Sequence, residues 1–568
     1  MNELIDRARS WIAGDPDPVT RSELESVIDS GDRAQLEARI DTVLEFGTAG
    51  IRGEVGAGPG RMNRAVVIRT TRGLADHLIS SRGDEAKNRV VVGFDARPTS
   101  RRFAEDAAGV LAAAGIPVLF FPEATPTPLV AYAAKHLSAA GAVVVTASHN
   151  PPTDNGYKVY GAEASLIVSP TDSEIQAAIA KTPPAVEIDR LIDAFTAGSA
   201  MVSPVPENIL DCYWEEVSAT RVRQKGSDLT VVYTPIHGVG RDPLFEMMHR
   251  AGHSGIVAVP EQSEPDGTFP TVAFPNPEEP GALDLALDLA REKHADLVIA
   301  NDPDADRLAA VIPVGGSWRP LSGNEIGVLL GDYLLRNTPD PGAVIVASSI
   351  VSSPMLSSIA SSYGARHEQT LTGFKWIVNA GLTLEKQGKG RFVFGYEEAL
   401  GYTVGSAVRD KDGMSAALIF TDLVADLGDS GRSIMDYLHE LWAAHRMWVS
   451  AQTSIVRPGP TGVESLSRAV ARLAEAPPSQ IGGIEVTLMT DYRENAHQRP
   501  PWLGEHPLLE FSLGDHGRVL VRPSGTEPKL KIYVDLCETC GEDPSAQHEA
   551  LTGRAGRIGQ TLGESLGL

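Results

Sequence analysis

The chain holds three cysteines in 568 residues, too few for a disulfide framework, which points to a reducing compartment. Cys537 and Cys540 form C-x-x-C, yet no second pair and no histidine pair completes a zinc site. The pair also follows Tyr533-Val534-Asp535-Leu536 instead of opening a helix after a strand, so its spacing is read as chance. No apolar run approaches the roughly 18 to 20 residues of a membrane span. The first fifteen residues carry acids and arginines where a secretory signal would be apolar, so a cytoplasmic protein is expected. Basic charge is scarce as well: 50 Lys and Arg stand against 74 Asp and Glu, a net charge of −24. That balance excludes the broad basic face that nucleic acid or an anionic membrane demands, and any phosphate-bearing substrate must be held by local cations. The chain lacks a Gly-x-x-x-x-Gly-Lys-Ser/Thr loop, which leaves an ATP-driven kinase unsupported. It also lacks the Gly-x-Ser-x-Gly elbow of serine hydrolases.

What is present is a set of strand-like runs that end in polar, chemically rich loops. Ala142 to Val145 is short, apolar and β-branched, and it feeds Thr146-Ala147-Ser148-His149-Asn150-Pro151. The prolines and Asp154-Asn155-Gly156 place Ser148 on a loop at the carboxyl end of a strand, where open α/β sheets bind ligands. Adjacent side chains on an extended segment point apart, so His149 is expected to be badly placed as a base for Ser148. Ala295 to Ala300 feeds Asp302-Pro303-Asp304-Ala305-Asp306-Arg307. Three carboxylates at i, i+2 and i+4 would share one side of an extended segment and face one hard cation. A calcium hand is excluded, because Arg307 and Pro313 stand where it needs Gly and Glu. Arg518 to Val521 leads into Arg522-Pro523-Ser524-Gly525-Thr526, whose guanidinium, hydroxyls and free amides suit a phosphate dianion. Arg391 to Phe394 ends at Glu397 and Glu398, paired carboxylates able to accept from two sugar hydroxyls. Near the start, Gly47-Thr48-Ala49-Gly50-Ile51-Arg52-Gly53 lets backbone approach a ligand while Arg52 offers a planar fork of donors.

The length allows about three to five domains. Residues 1 to 45 read as two polar helices, with a capping box at Thr20-Arg21-Ser22-Glu23. Buried strands at Arg89 to Phe94 and Pro117 to Phe121, with a helix at Arg102 to Ala114 between them, predict a mostly parallel sheet. Paired strands recur at Leu229 to Tyr233 with Ala295 to Ala300, and at Ala343 to Ala347 with Arg391 to Phe394. Three similar α/β domains follow from that repetition. Beyond residue 446, strands near Ser454 to Val456, Ile484 to Leu488, Leu508 to Leu513 and Val519 to Val521, with helices at Gly462 to Ala476 and in the tail, suggest a smaller α+β module. The boundaries are placed at 1–205, 206–320, 321–445 and 446–568. With no low-complexity linker, the domains are expected to share a cleft.

Taken together, these loops resemble those of the α-D-phosphohexomutase family, the phosphoglucomutases and phosphomannomutases, over nearly the whole chain. The resemblance implies a heart-shaped, four-domain enzyme with one loop per domain around a central cleft. It implies a phosphosugar mutase that converts hexose 1-phosphate to hexose 6-phosphate, glucose first, through a phosphoserine and a sugar 1,6-bisphosphate. Ser148 would carry the phosphoryl group, and one Mg²⁺ would be held by Asp302, Asp304, Asp306 and an oxygen on Ser148. Arg52 and Arg307 would neutralise the phosphate, and Lys158 would transfer a proton; His149 is kept in the catalytic set beside them. Lys375, Glu397, Glu398, Lys411, Arg522, Ser524, Gly525 and Thr526 would hold the substrate. The family's sugar loop commonly reads Gly-Glu-x-Ser, whereas Tyr396-Glu397-Glu398-Ala399 stands here, closest in look to the bacterial phosphoglucomutase and phosphopentomutase branch. Mannose and pentose phosphates are thus the alternative substrates, and a sugar-phosphate binder without turnover is the alternative of another class. The expected partners are small sugar phosphates, with no nucleic acid and no membrane, in a monomer or homodimer.

Overall fold

Valine-rich runs with no polar side chain to present to water can only be interior strands, and the computed structural model places them so. It describes residues 1–46, 50–82, 89–191, 200–457, 460–523 and 529–566. Val90–Phe94 and Gly141–Val145 are buried at every position and pair in parallel from Val90↔Gly141 to Phe94↔Val145. Each fully buried valine is worth about 1.5–3 kcal/mol, so these two strands anchor their sheet. The helices Ser100–Ala113 and Thr127–His136, also largely buried, pack on it.

The sheet has six strands in the order Ile51–Glu54, Asp154–Tyr160, Gly141–Val145, Val90–Phe94, Val118–Phe120 and Val202–Pro204. The last four are parallel, as expected. The first two are antiparallel additions. Asp154-Asn155-Gly156, read from sequence as turn residues, opens one of them. The Asn155 amide is pinned by Thr99 Oγ1 at 2.8 Å and Ser100 Oγ at 3.0 Å, which fixes the chain as it doubles back.

The amino-terminal region forms three helices, Asn2–Gly14, Pro18–Ser30 and Arg33–Ile40, where two were expected. The break comes at Gly31, in left-handed conformation (φ 68°), after which Asp32 caps a fresh start. The predicted capping box does not form. Asp17 caps the helix three residues earlier with Pro18 in its first turn, and the Thr20 hydroxyl donates to Asp15 Oδ2 at 2.6 Å.

The repeated strand pairs are parallel neighbours in each case: Val231–Thr234 with Leu297–Ala300, and Val344–Ser349 with Arg391–Glu397. The carboxyl-terminal module is a wholly antiparallel sheet in the order Met447–Val456, Lys529–Glu538, Gly517–Pro523, Leu509–Ser512 and Leu488–Asp491. Its second strand, Lys529–Glu538, went unread because Lys529, Lys531 and Asp535 interrupt the apolar run. The strand expected at Ile484 to Leu488 is split, with Ile484–Glu485 pairing Gln480–Ile481 and Leu488–Asp491 joining the main sheet. The chain divides into two compact units, Met1–Pro320 with Gly401–Asp422, and Leu321–Leu400 with Leu423–Leu568. Among the described residues no helix is long and apolar enough to cross a membrane.

The second unit carries a built-in pH dependence. Burial, assisted by the Arg518 charge, holds the His367 imidazole at about 4, and burial with Arg522 does the same for His506. Above about pH 6.5 both rings are neutral in either state; between about 6.5 and 4 only the unfolded chain takes up protons. Stability should therefore fall as pH drops through that window. Calorimetry from pH 7.5 to 4.5 should show a smaller loss of unfolding temperature in the His367→Gln, His506→Gln double variant than in the wild type. Equal losses would contradict the assignment.

Candidate functional site

Ser148 follows the buried strand Gly141–Val145 and takes a left-handed backbone, φ 54°. A non-glycine residue adopts that conformation only when its surroundings hold it there. Here the Ser148 N–H donates to Thr146 Oγ1 at 2.8 Å, and Thr146 Oγ1 in turn donates to Asp95 Oδ2 at 2.7 Å. The serine hydroxyl donates to Asp302 Oδ2 at 2.7 Å. His149 Nδ1 lies 3.0 Å from the same Oγ, contrary to the sequence expectation that the two side chains point apart. That expectation assumed an extended segment, and the positive φ at Ser148 removes it. With the single hydroxyl proton directed at Asp302, Nδ1 must carry the hydrogen of this contact, so His149 is a donor to the serine and not its base. Burial, together with the Arg307 and Arg52 charges, keeps the ring neutral by lowering its pKa well below the ordinary value.

The loop is gripped from beneath by a residue that the sequence reading passed over. The Arg97 guanidinium donates to the carbonyls of Ser148 (2.8 Å), Asn150 (2.6 Å), Pro151 (2.6 Å) and Asp154 (2.9 Å), and its Nε meets Asp95 Oδ2 at 3.2 Å. Asp95 also accepts from Ser100 Oγ at 2.5 Å. A planar fork that spans four backbone acceptors is a task only arginine can perform. The signal available in the sequence was Asp95-Ala96-Arg97 at the end of a buried strand, the same context as the serine.

Asp302, Asp304 and Asp306 are wholly buried, and one oxygen from each lies within 4.8 Å of the others. They converge through a turn and not through the predicted extended segment: Ala305 N donates to Asp302 O at 2.8 Å, with Ala305 at φ 57°, and Arg307 N donates to Asp302 Oδ1 at 3.1 Å. Lys158 Nζ bridges Asp304 Oδ2 at 2.7 Å and Asp306 Oδ2 at 2.9 Å. Its ammonium stays charged, because the two carboxylates raise its pKa by more than burial, the largest single influence, lowers it. Asp306 is held below the usual carboxylate range; Lys158, Lys411 and Arg307 outweigh burial and the neighbouring Asp304. Lys411 Nζ reaches Asp306 Oδ2 and Asp410 Oδ1, each at 3.2 Å, and Tyr160 donates to Asp410 Oδ2 at 2.6 Å. Thr127, at the start of its helix, donates to Asp304 Oδ2 at 2.7 Å and was not anticipated.

Strand register explains why Arg52 and Lys158 belong here. Arg52 faces Gly156 and Lys158 faces Val144, so their side chains leave the sheet on one face. A Cβ at Gly156 would come 2.5 Å from Thr146 O and 3.0 Å from Arg52 Cγ, so only glycine leaves room for that arginine. Arg52 Nη1 donates to Asn150 Oδ1 at 3.2 Å, while its buried Nε has no partner. Arg307 Nε lies 4.0 Å from Asp302 Oδ2.

The second unit gathers the other predicted residues. Glu398 Oε2 accepts from Ser349 Oγ at 3.1 Å and Ser352 Oγ at 3.4 Å, and Glu397 closes the strand Arg391–Glu397. Arg522 donates to Thr372 Oγ1, three residues before the buried Lys375. Ser524, Gly525 and Thr526 lie outside the described residues, as do Gly47, Thr48 and Ala49.

The aspartate cluster fits a metal ion by its donors. All three ligands are hard oxygens, and Asp304 Oδ1 and Asp306 Oδ1 are buried without any hydrogen-bond partner. Two bare carboxylate oxygens away from water are costly, and a cation would satisfy both.

Four family descriptions match in order: "Phosphoglucomutase/phosphomannomutase, alpha/beta/alpha domain I" at residues 43–185, domain II at 211–315, domain III at 322–445 and the C-terminal domain at 489–539. A Haemophilus influenzae protein named "Probable phosphomannomutase" is 40% identical over 495 residues, 85% of this chain and 94% of its own. The human phosphopentomutase is 35% identical over 574 residues, 96% of this chain and 93% of its own. Among solved structures, the open form of the Paramecium phosphoglucomutase parafusin shares the fold with a TM-score of 0.67 at 17% identity, covering 91% of this chain and 96% of that one.

If Arg97 holds the serine loop in place, Arg97→Met should speed amide hydrogen exchange across residues 147–154 by roughly tenfold or more. Breaking its buried pair with Asp95 should also cost about 3–5 kcal/mol. Exchange that stays at the wild-type rate in this segment would remove the assigned role.

Proposed function

The chain belongs to the phosphoglucomutase/phosphomannomutase family, and on that premise we propose that it moves a phosphoryl group between the C1 hydroxyl and the terminal primary hydroxyl of an aldose phosphate. It is a phosphosugar mutase, an isomerase that acts by phosphotransfer. The observation that carries the reading is the serine hydroxyl 2.7 Å from a carboxylate of the buried aspartate cluster, in a loop fixed by four arginine contacts. Phosphoryl transfer asks for positioning and charge neutralisation more than for an activated triad, and this site is built for both.

In the proposed cycle Ser148 enters phosphorylated. A sugar hydroxyl attacks the phosphorus, the bond from Ser148 Oγ to phosphorus breaks, and the sugar becomes a bisphosphate. In the proposed exchange the Lys158 ammonium gives a proton to the departing Oγ, and the neutral amine so formed takes up the proton released by the attacking hydroxyl. His149 Nδ1–H points at Oγ, and the Lys158 ammonium lies within the same buried cluster. After the bisphosphate turns over in the site, its other phosphoryl group returns to Ser148. Asp302, Asp304 and Asp306 would hold Mg²⁺, which when bound neutralises the phosphoryl oxygens. Arg52 and Arg307 supply further positive charge. In the second unit Arg522, with the loop that follows it, would bind the distal phosphate, while Glu397, Glu398 and Lys375 read the sugar. The four domains are taken as 1–205, 206–320, 321–445 and 446–568.

Glucose is the first candidate among hexoses, with a 1,6-bisphosphate as intermediate. Pentose phosphate is a second reading, favoured by phosphopentomutases that match over more than nine-tenths of both lengths. Comparing kcat/KM for glucose, mannose and ribose 1-phosphates decides between them.

Ser148→Ala should fold with an unchanged unfolding temperature and lose at least about a thousandfold in turnover on whichever sugar is best. Intact-mass analysis should find a phosphoryl adduct on wild type and none on the variant. An active alanine variant would end the mechanism. Asp304→Asn, which keeps shape but removes a charged ligand, should raise the Mg²⁺ concentration for half-maximal activity about tenfold or more. The same Mg²⁺ dependence in both proteins would show that the cluster holds no catalytic metal.

A further inference from the structure

A cavity of about 370 Å³ opens in the first unit and shares no lining residue with the serine and aspartate loops. Its size falls within the roughly 300–1,000 Å³ of small-molecule sites. It is framed by Arg7, Ser10 and Trp11 of the helix Asn2–Gly14, by Ala65 and Arg69 of the helix Arg64–Arg82, and by Thr182. Apolar walls come from Ile40, Val43, Pro59 and Pro184.

Arg69 sets this cavity apart. Five arginines of the surrounding elements hold a carboxylate: Arg7 with Asp41 at 2.6 Å, Arg39 with Glu23 at 2.6 Å, Arg61 with Glu54 at 3.2 Å, Arg64 with Asp106 at 2.7 Å and Arg72 with Asp76 at 2.8 Å. Arg69 has none among the described residues. Its guanidinium meets only neutral oxygens of Thr182, Oγ1 at 3.1 Å and the carbonyl at 3.5 Å, and it lies 6.0 Å from the centre of the Trp11 ring. In a chain with 24 more acidic than basic side chains, a half-buried arginine without an acid is a charge left for something else. Burial alone lowers its proton affinity, and no carboxylate offsets it. The Trp11 indole N–H is likewise buried without an acceptor.

We infer that this cavity is a binding site for a small organic anion, with an acidic group on Arg69 and a compact apolar body against Trp11 and the aliphatic walls. The site is independent of the mutase reading. A charge-assisted contact to a guanidinium in a partly desolvated pocket is worth about 1.5–3 kcal/mol, a factor of roughly 10 to 100 in affinity. The apolar body supplies the remainder.

Isothermal titration of the full-length protein with naphthalene-1-carboxylate and its neutral counterpart, naphthalene-1-carboxamide, tests the proposal. The carboxylate should bind once per chain and weaken about 10- to 100-fold in Arg69→Met, while the carboxamide should bind both proteins weakly and equally. Ser10→Phe, a change at an exposed lining position, should obstruct the cavity and weaken both probes. Unfolding temperature and mutase turnover should stay at wild-type values in both variants, since neither residue belongs to the proposed catalytic set. Carboxylate binding of equal strength in wild type, Arg69→Met and Ser10→Phe, or no saturable binding to wild type, would overturn the assignment.

Discussion

Three carboxylates buried side by side repel one another and have lost their water, and only cations placed close by can offset both costs. That requirement organises the first unit. Lys158 arrives on an antiparallel strand from within the amino-terminal sheet, and Lys411 arrives from residues 401–422, a segment far along the chain that belongs to the same compact unit. Each lysine holds Asp306, and each is therefore fixed by the cluster it neutralises. The two carboxylate oxygens that remain bare mark where the protein's own charges stop short. Electroneutrality in this pocket thus explains both the lysine positions and the fitness of the site for a further cation.

Parallel strand pairs recur three times along the chain, and each places polar side chains at the same point of its own sheet. In each α/β repeat the second strand of the pair ends in a polar segment: Gly141–Val145 before Ser148, Leu297–Ala300 before Asp302, and Arg391–Glu397 at Glu397 itself. The carboxyl ends of parallel strands are where backbone groups and helix termini leave ligand space, so one recurring arrangement presents three differently equipped loops.

Much of this was legible from residues. Apolar runs bounded by glycine, proline and aspartate located the interior strands, and the loop residues declared their chemistry by type. What the sequence concealed had common physical causes. Ser148 and Ala305 take positive φ, which turns side chains in ways that alternation along a strand does not describe, and so the His149 contact and the mode of aspartate convergence were misjudged. Arg97 and Thr127 act through contacts to segments far away in sequence, which no local pattern encodes. The strand Lys529–Glu538 was hidden by its own lysines, whose long stems suit a strand without lending it an apolar signature. The division of the amino-terminal helices turned on one left-handed glycine.

The strand Asp154–Tyr160 runs back alongside Gly141–Val145, so the loop carrying Ser148 is a connection between two strands in fixed register. Side chains on such a strand alternate between faces, and one residue more or fewer in the connection would reverse every one of them. Lys158 would then turn away from Asp304 and Asp306, while a residue now facing the core, Val159 after a deletion or Tyr157 after an insertion, would take its place among the acids. The ten-residue interval between serine and lysine is therefore set by the geometry of a sheet edge. Substitutions in this loop can be absorbed one at a time, but a change in its length inverts the local division between apolar interior and charged pocket.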